Sequence, residues 1–358
     1  MTDPHSPLNP AHVKPSDIVR YLNQYVIGQE EAKRVLAVAV YTHYRKLALA
    51  EADPTGMVTM DKSNVLIVGP SGCGKTLLCE TLSRQLEVPF VTADATSLAQ
   101  TQYVGEEIEA IMARLLERAG GDLKRASQGI VFIDEIDKLK ASDAGTSHVV
   151  SGESVQHALL KIMEGYPVRL SDGLVMDTGG ILFICGGAFV GLERIMARTH
   201  SFGFISTTQG DDENILERLN SRVKPTDLFE YGLIPEFTGR LPVVVRVQPL
   251  TKEMLARIMV EPKNALYRQF QAILAQEGVQ LGIAPAVFLQ IAEIAQEYKT
   301  GARSLRGIFE ELLNPVLFAV PDQPRIKQVL IRSLFEPPQF LETPLRSPSQ
   351  TSSAQAAE

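Results

Sequence analysis

The sequence predicts an α/β chain, with a doubly wound parallel sheet followed by a smaller, mainly helical domain. Three observations carry that expectation. Short aliphatic runs at Val65–Val68, 130–133 and 181–184 are nearly continuous, as strands buried on both faces of a parallel sheet must be. Between them, apolar residues recur at helical spacing. Ile108, Ile111, Met112, Leu115, Leu116 and Ala119 form one stripe, and Val155, Leu159, Ile162 and Met163 form another. After Pro249 the alternation stops, and residues 251–320 are helix-patterned almost throughout.

Residues 1–16 are rich in Pro and polar side chains and read as a flexible lead-in. Residues 17–248 make the large α/β domain, closing on the run Val243-Val244-Val245. Residues 249–340 make the small helical domain, with breaks at Pro262, between Gly278 and Pro285, and at Thr300-Gly301. A late strand is expected over 327–331. Residues 341–358 form the tail; its end, RSPSQTSSAQAAE, lacks an apolar period and is expected to be disordered.

Composition narrows the function. Apolar residues are 45% and charged residues 22% of the 358, enough to bury a sizeable core. A net charge of −7 argues against an electrostatic nucleic-acid binder, which presents a basic face. The three cysteines, Cys73, Cys79 and Cys185, form no CxxC pair, so neither a disulfide framework nor a zinc site is expected. The opening MTDPHSPLNP lacks the layout of a signal peptide, and no apolar run approaches membrane-spanning length. A cytoplasmic protein without membrane contact follows as the expectation.

Two motifs carry chemistry. Residues 69–76 read GPSGCGKT (Gly69, Pro70, Ser71, Gly72, Cys73, Gly74, Lys75, Thr76), a full match to G-x-x-x-x-G-K-[ST]. It follows an expected strand and opens a helix with Leu77, Leu78 and Leu82, the context in which loop N–H groups surround phosphate oxygens. Lys75 is expected to bridge the outer phosphates and Thr76 to hold Mg2+. Residues 130–135 read IVFIDE. Asp134, ending the strand, is placed for the Mg2+ shell, and Glu135 for activating the attacking water as general base. An acidic cap is the alternative for this pair, outweighed by the upstream phosphate loop. No NKxD guanine signature occurs, so ATP is expected over GTP.

The stretch Tyr25-Val26-Ile27-Gly28-Gln29, followed by Ala32-Lys33, resembles the adenine-contacting segment of the ClpX family of AAA+ unfoldases. The likeness continues over residues 16–320 through AVAVYTHY (37–44), ADATSLAQTQYVGEE (93–107), FIDEIDK (132–138), ILFICGGAFVGL (181–192), YGLIPEFTGRLPVVV (231–245), EPKNAL (261–266) and KTGARSLR (299–306). It implies an AAA+ fold, a homohexameric ring, and ATP-driven unfolding of protein substrates for the ClpP peptidase. By the same resemblance, Val26 and Ile27 contact adenine and Arg303 is the sensor 2 residue, while Arg306 is a packing or surface charge. Arg240 matches the arginine finger that serves a neighbouring subunit, and an intrachain ion pair is its alternative. Tyr103 and Val104 match the pore loop that grips substrate. The sensor 1 position, where the strand runs into Cys185-Gly186-Gly187, stays unassigned.

Three departures from the family bear on function. The zinc-binding N-terminal domain has no counterpart in this sequence. The basic loop before the fourth strand is replaced by a short apolar–Ser171-Asp172-Gly173–apolar segment expected to fold as a tight hairpin, without the family's Arg-Lys-His. The peptidase-docking loop reads Phe202-Gly203-Phe204, with Phe202 where an aliphatic residue is usual. Two alternatives stand beside the unfoldase: a ClpP-independent chaperone, and a regulatory subunit of a mixed ring. A nucleic-acid motor is disfavoured by the acidic charge and the Tyr-Val-Gly loop.

Overall fold

The computed structural model describes residues 10, 13–52, 62–101, 103–140, 151–171, 173–200 and 222–342. The chain divides into two compact units, one of residues 1–23 and 29–248, the other of Gln24–Gly28 with Pro249–Glu358.

The first unit is built on five parallel strands: β1 (Val65–Val68), β2 (Phe90–Asp94), β3 (Ile130–Asp134), β6 (Leu182–Gly187) and β7 (Val243–Arg246). Their order is β2-β3-β6-β1-β7. The central three are buried almost throughout, which is why their sequences read as unbroken aliphatic runs. Helices Lys75–Leu86, Val104–Arg118 and Gly152–Glu164 follow β1, precede β3 and follow β3. The apolar stripe of the second and third faces the core, where Ile111, Met112, Leu115 and Leu159 are buried. The expected hairpin is present as β4 (Pro167–Arg169) paired antiparallel with β5 (Val175–Asp177).

Strand β2 was not apparent from the sequence. It is an edge strand whose burial alternates, with Val91 and Ala93 inward and Thr92 and Asp94 outward, so only Phe90 and Val91 look like a strand. In the second unit, helices Lys252–Val260, Leu266–Gln276, Pro285–Glu297 and Arg303–Ala319 surround a separate core that includes Phe270, Phe288 and Phe309. The segment read as a break before Pro285 contains a strand, β8 (Gln280–Ile283), parallel to the expected late strand β9 (Gln328–Ile331). β9 also pairs with β10 (Gln339–Leu341), so Leu341 belongs to a sheet and not to the tail.

Residues Gln24–Gly28, assigned to the large domain by sequence, cluster with the second unit. The Lys263 N–H donates to the Gln24 carbonyl at 2.9 Å. Gly28 sits where a Cβ would lie 2.9 Å from Met254. No helix among the described residues is long and apolar enough to cross a membrane.

One buried ionisable group makes the first unit sensitive to pH. His43, on helix Glu30–Ala52, is 5% exposed and its Nε2–H donates to the Gly180 carbonyl at 3.1 Å. Burial, the nearby Lys62 and, more weakly, Lys46 lower its pKa to about 4. Unfolded, the imidazole is protonated near its ordinary value; folded, it stays neutral until far lower pH. Stability contributed by the neutral form is therefore present above pH 6.5 and lost as pH falls toward 4. At pH 5 the loss is about 2 kcal/mol. Urea denaturation of wild type and His43→Gln, each at pH 7 and pH 5, isolates this group, because Gln can still donate to Gly180 but does not titrate. The acid-induced loss should be about 2 kcal/mol smaller in the variant, and equal losses in both proteins would exclude His43 as the cause.

Candidate nucleotide site

The phosphate loop leaves β1 under tight backbone constraint. The Gly69 N–H donates to the Gly187 carbonyl at 3.2 Å, and the Val247 N–H to the Val68 carbonyl at 2.8 Å. A Cβ at position 69 would lie 2.3 Å from the Val247 carbonyl oxygen, so only glycine lets the loop pass. Gly74, immediately before helix Lys75–Leu86, has φ 93°, a left-handed conformation that glycine adopts without strain. The loop therefore ends on a helix N-terminus, where unpaired N–H groups and the helix dipole favour anions.

Pro70 and Ser71 lie exposed on the loop, Gly72 is half-buried, and Cys73 is buried. Lys75 is 7% exposed, and its ammonium donates to the carbonyls of Gly69 at 2.8 Å and Pro70 at 3.0 Å. Thr76 and Leu77 follow, both half-buried, on the first turn of the helix. The Thr76 hydroxyl donates to Asp134 Oδ2 at 3.3 Å, joining the loop to the end of β3. The other carboxylate oxygen of Asp134 accepts the Glu135 N–H at 2.9 Å. Glu135 itself is left-handed, with φ 58°, a sparsely populated conformation for a non-glycine residue. A hydroxyl and a carboxylate facing each other are hard oxygen donors, the kind that suits Mg2+.

Strand β6 runs between β1 and β3 and ends in Gly186 and Gly187. A Cβ on Gly186 would lie 2.6 Å from the Phe132 ring, and one on Gly187 2.7 Å from Asp137 Oδ1. The position left unassigned for sensor 1 therefore has no room for a polar side chain. Sequence reading missed Asp137, which is 3% exposed and accepts the N–H groups of Ala188 at 3.2 Å and Phe189 at 3.3 Å. A carboxylate three residues beyond Asp134 was visible as a motif element, but its backbone partners, some fifty residues away, were not. Beside Asp134 and Thr76 opens a cavity of about 570 Å³, also lined by Thr92, Asp94 and Arg114.

The remaining expected residues lie elsewhere. Arg240 follows helix Pro235–Gly239 as its C-cap, and its carbonyl accepts from the side chain of Asn64 at 3.2 Å. Asn64 precedes β1, whereas Gly69 follows it. Arg240 is thus at the opposite end of the sheet from the phosphate loop, about 16 Å of strand away. Its guanidinium pairs with Glu164 at 2.7 Å, so the intrachain alternative is realised in the single chain. Both side chains are about half exposed, which makes this a weak, exchangeable pair. Tyr103 is 65% exposed just before helix Val104–Arg118, while Val104 packs against the core. Val26, Ile27 and Arg303 belong to the second unit. Arg303 is exposed at the start of its helix, whereas Arg306 bonds to Glu310 and Gln269. Phe202, Gly203 and Phe204 lie outside the described residues.

Residues 60–244 match the family model of the AAA domain (Cdc48 subfamily), and residues 250–329 that of the C-terminal D2-small domain of ClpB protein. The chain is 46% identical over 332 residues to the ATP-dependent Clp protease ATP-binding subunit ClpX of Treponema denticola, covering 88% of this chain and 80% of that protein. The chain belongs to the ClpX family. ClpX 3 of Methylococcus capsulatus is 44% identical over 343 residues, 89% of this chain and 79% of its own. The ClpX of Azotobacter vinelandii is 45% identical over 333 residues, 87% and 76% respectively. Membership makes this chain an AAA+ ATPase, and nucleotide binding follows from the family.

The close approach at Gly69 yields a direct test. Gly69→Ala must push Val247 away or displace the loop, an overpacking worth about 1–3 kcal/mol. The thermal midpoint should fall and affinity for a fluorescent ATP analogue should drop by about tenfold or more. A variant that melts and binds like wild type would show that the β1 exit tolerates a side chain.

Proposed function

We propose that this chain is an ATP-driven protein unfoldase that works as a homohexameric ring in the cytoplasm and serves as the specificity subunit of a Clp protease. The observation that carries this reading is the placement of Arg240. Hydrolysis by a phosphate-loop enzyme gains greatly from an arginine at the transferring phosphate. In this chain the family's arginine stands at the far end of β1 from its own loop, so a neighbouring copy has to supply it. A head-to-tail contact repeated around a closed ring does that for every subunit. The relatives are ATP-binding subunits of a Clp protease, which supports the protease-subunit part of this reading.

Within one site, Lys75 exchanges its loop carbonyls for the outer phosphates of ATP, and the loop N–H groups hold the phosphates from below. Thr76 and Asp134 are the residues to hold Mg2+, which when bound neutralises phosphate charge. Glu135 takes the proton from the attacking water, held in place by the bond between its own N–H and Asp134. By the family resemblance, Val26 and Ile27 contact adenine and Arg303 acts as the sensor 2 residue. Tyr103, exposed on a core-anchored helix, grips the substrate chain with a large, sequence-tolerant surface. By the family resemblance, Phe202, Gly203 and Phe204 are the residues that dock the ClpP peptidase.

The trans role of Arg240 is tested by mixing. Arg240→Ala alone should keep ATP binding yet lose hydrolysis by about a hundredfold or more. Adding Lys75→Ala subunits, which retain Arg240, should restore part of the rate. No recovery at any mixing ratio would place Arg240 in a purely intrachain role.

Tyr103→Ala separates grip from chemistry. ATP turnover should stay within about twofold of wild type while unfolding of a tagged fluorescent protein is lost or slowed by about tenfold or more. Unimpaired unfolding would remove Tyr103 from the substrate path.

A further inference from the structure

Helix Gly152–Glu164 touches both halves of the proposed hydrolysis machinery. At its first turn, Gly152 packs so closely on the turn after Glu135 that a Cβ would lie 2.5 Å from the Leu139 carbonyl oxygen and 2.9 Å from that of Lys140. One turn later, Gln156 is fully buried. Its amide donates to the Leu139 carbonyl at 2.7 Å, and its carbonyl accepts the Ile234 N–H at 2.8 Å. Leu139 ends the short 3-10 helix Ile136–Leu139 that begins right after Glu135, and Ile234 is the N-cap of helix Pro235–Gly239, which ends on Arg240. At the last turn, about 18 Å along the axis, Glu164 pairs with Arg240 itself.

We infer that Gln156 is a positioning residue that ties the Glu135 turn to the Arg240 helix, so that one buried side chain sets both the base of a subunit's own site and the arginine it offers its neighbour. The inference rests on the ring reading given above. A glutamine suits the task because one planar group carries a donor and an acceptor pointing oppositely. Neither partner has an alternative reach to water, since both bonds are buried. A shift of the helix in response to nucleotide is thereby transmitted to Leu139 and Ile234 together, and the base turn and the arginine helix move as one body.

Gln156→Met keeps the side chain's length and removes both bonding groups. Studied as the assembled protein, it should bind ATP within about threefold of wild type, with kcat lowered by about tenfold or more and KM little changed. Retained ATP binding by the assembled variant separates positioning from simple loss of stability, and the mixing pattern separates two-ended from one-ended action. With Lys75→Ala subunits, which offer an intact Arg240, Gln156→Met should not recover, because its own base turn is displaced. With Arg240→Ala subunits, which carry intact sites, it should not donate a working arginine. Arg240→Ala mixed with Lys75→Ala, expected to recover, is the reference. Recovery of Gln156→Met in either mixture, or wild-type kcat for the variant alone, overturns the two-ended coupling. If Gln156→Met does not assemble, Gly152→Ala forces the same helix off the same turn and should show the same losses; wild-type turnover by that variant overturns the inference. Failure of the reference mixture, whose subunits all keep Gln156, would sink the ring reading itself.

Discussion

Strand β1 is hydrogen-bonded on both sides, to β6 and to β7, and its four side chains are buried. The chain leaving it at Gly69 is pinned between the backbones of Gly187 and Val247. That pinning fixes where the loop begins, because the scaffold and not the loop supplies the rigidity. The Thr76–Asp134 contact then closes the gap across β6, and the two glycines ending β6 keep that gap free of side chains. Each later feature of the site presupposes the register of these three strands.

The same sheet imposes a division of labour. Parallel strands send all their carboxyl ends to one side, so the phosphate loop, Asp134 and Glu135 gather there. Anything attached at the amino ends, as Arg240 is through Asn64, is removed from its own site by the length of a strand. On the ring reading proposed above, an arginine tethered there serves catalysis across a boundary between copies. The weak pair with Glu164 gives that guanidinium a resting partner at little energetic cost.

Much of this was legible in the sequence because the informative patterns are local. The phosphate loop and the IVFIDE strand are contiguous, and fully buried strands announce themselves as aliphatic runs. What escaped depends on long-range partners or on partial burial. β2 is an edge strand with polar outward positions, and β8 is four residues long inside a stretch punctuated by Gly278 and Gly282. The Gln24–Gly28 segment joins residues more than two hundred positions away. Gln156 carried one readable signal: it shares the apolar face of its helix with Leu159 and Met163 at i+3 and i+7. A polar residue there must find buried partners, but nothing local says they are Leu139 and Ile234.

Tyr103 and Val104 are adjacent yet differently embedded, one projecting and one half-buried against the core. A flexible loop would absorb part of any pull in its own slack before passing force to the domain. With Val104 seated, there is little backlash between the tyrosine ring and helix Val104–Arg118. Any load on the ring would pass to the helix, and through Ile111 and Leu115 to the sheet it packs on. On the proposed reading of Tyr103 as the substrate grip, a stalled polypeptide would load the phosphate-binding scaffold directly, as a gear tooth bolted to its wheel does.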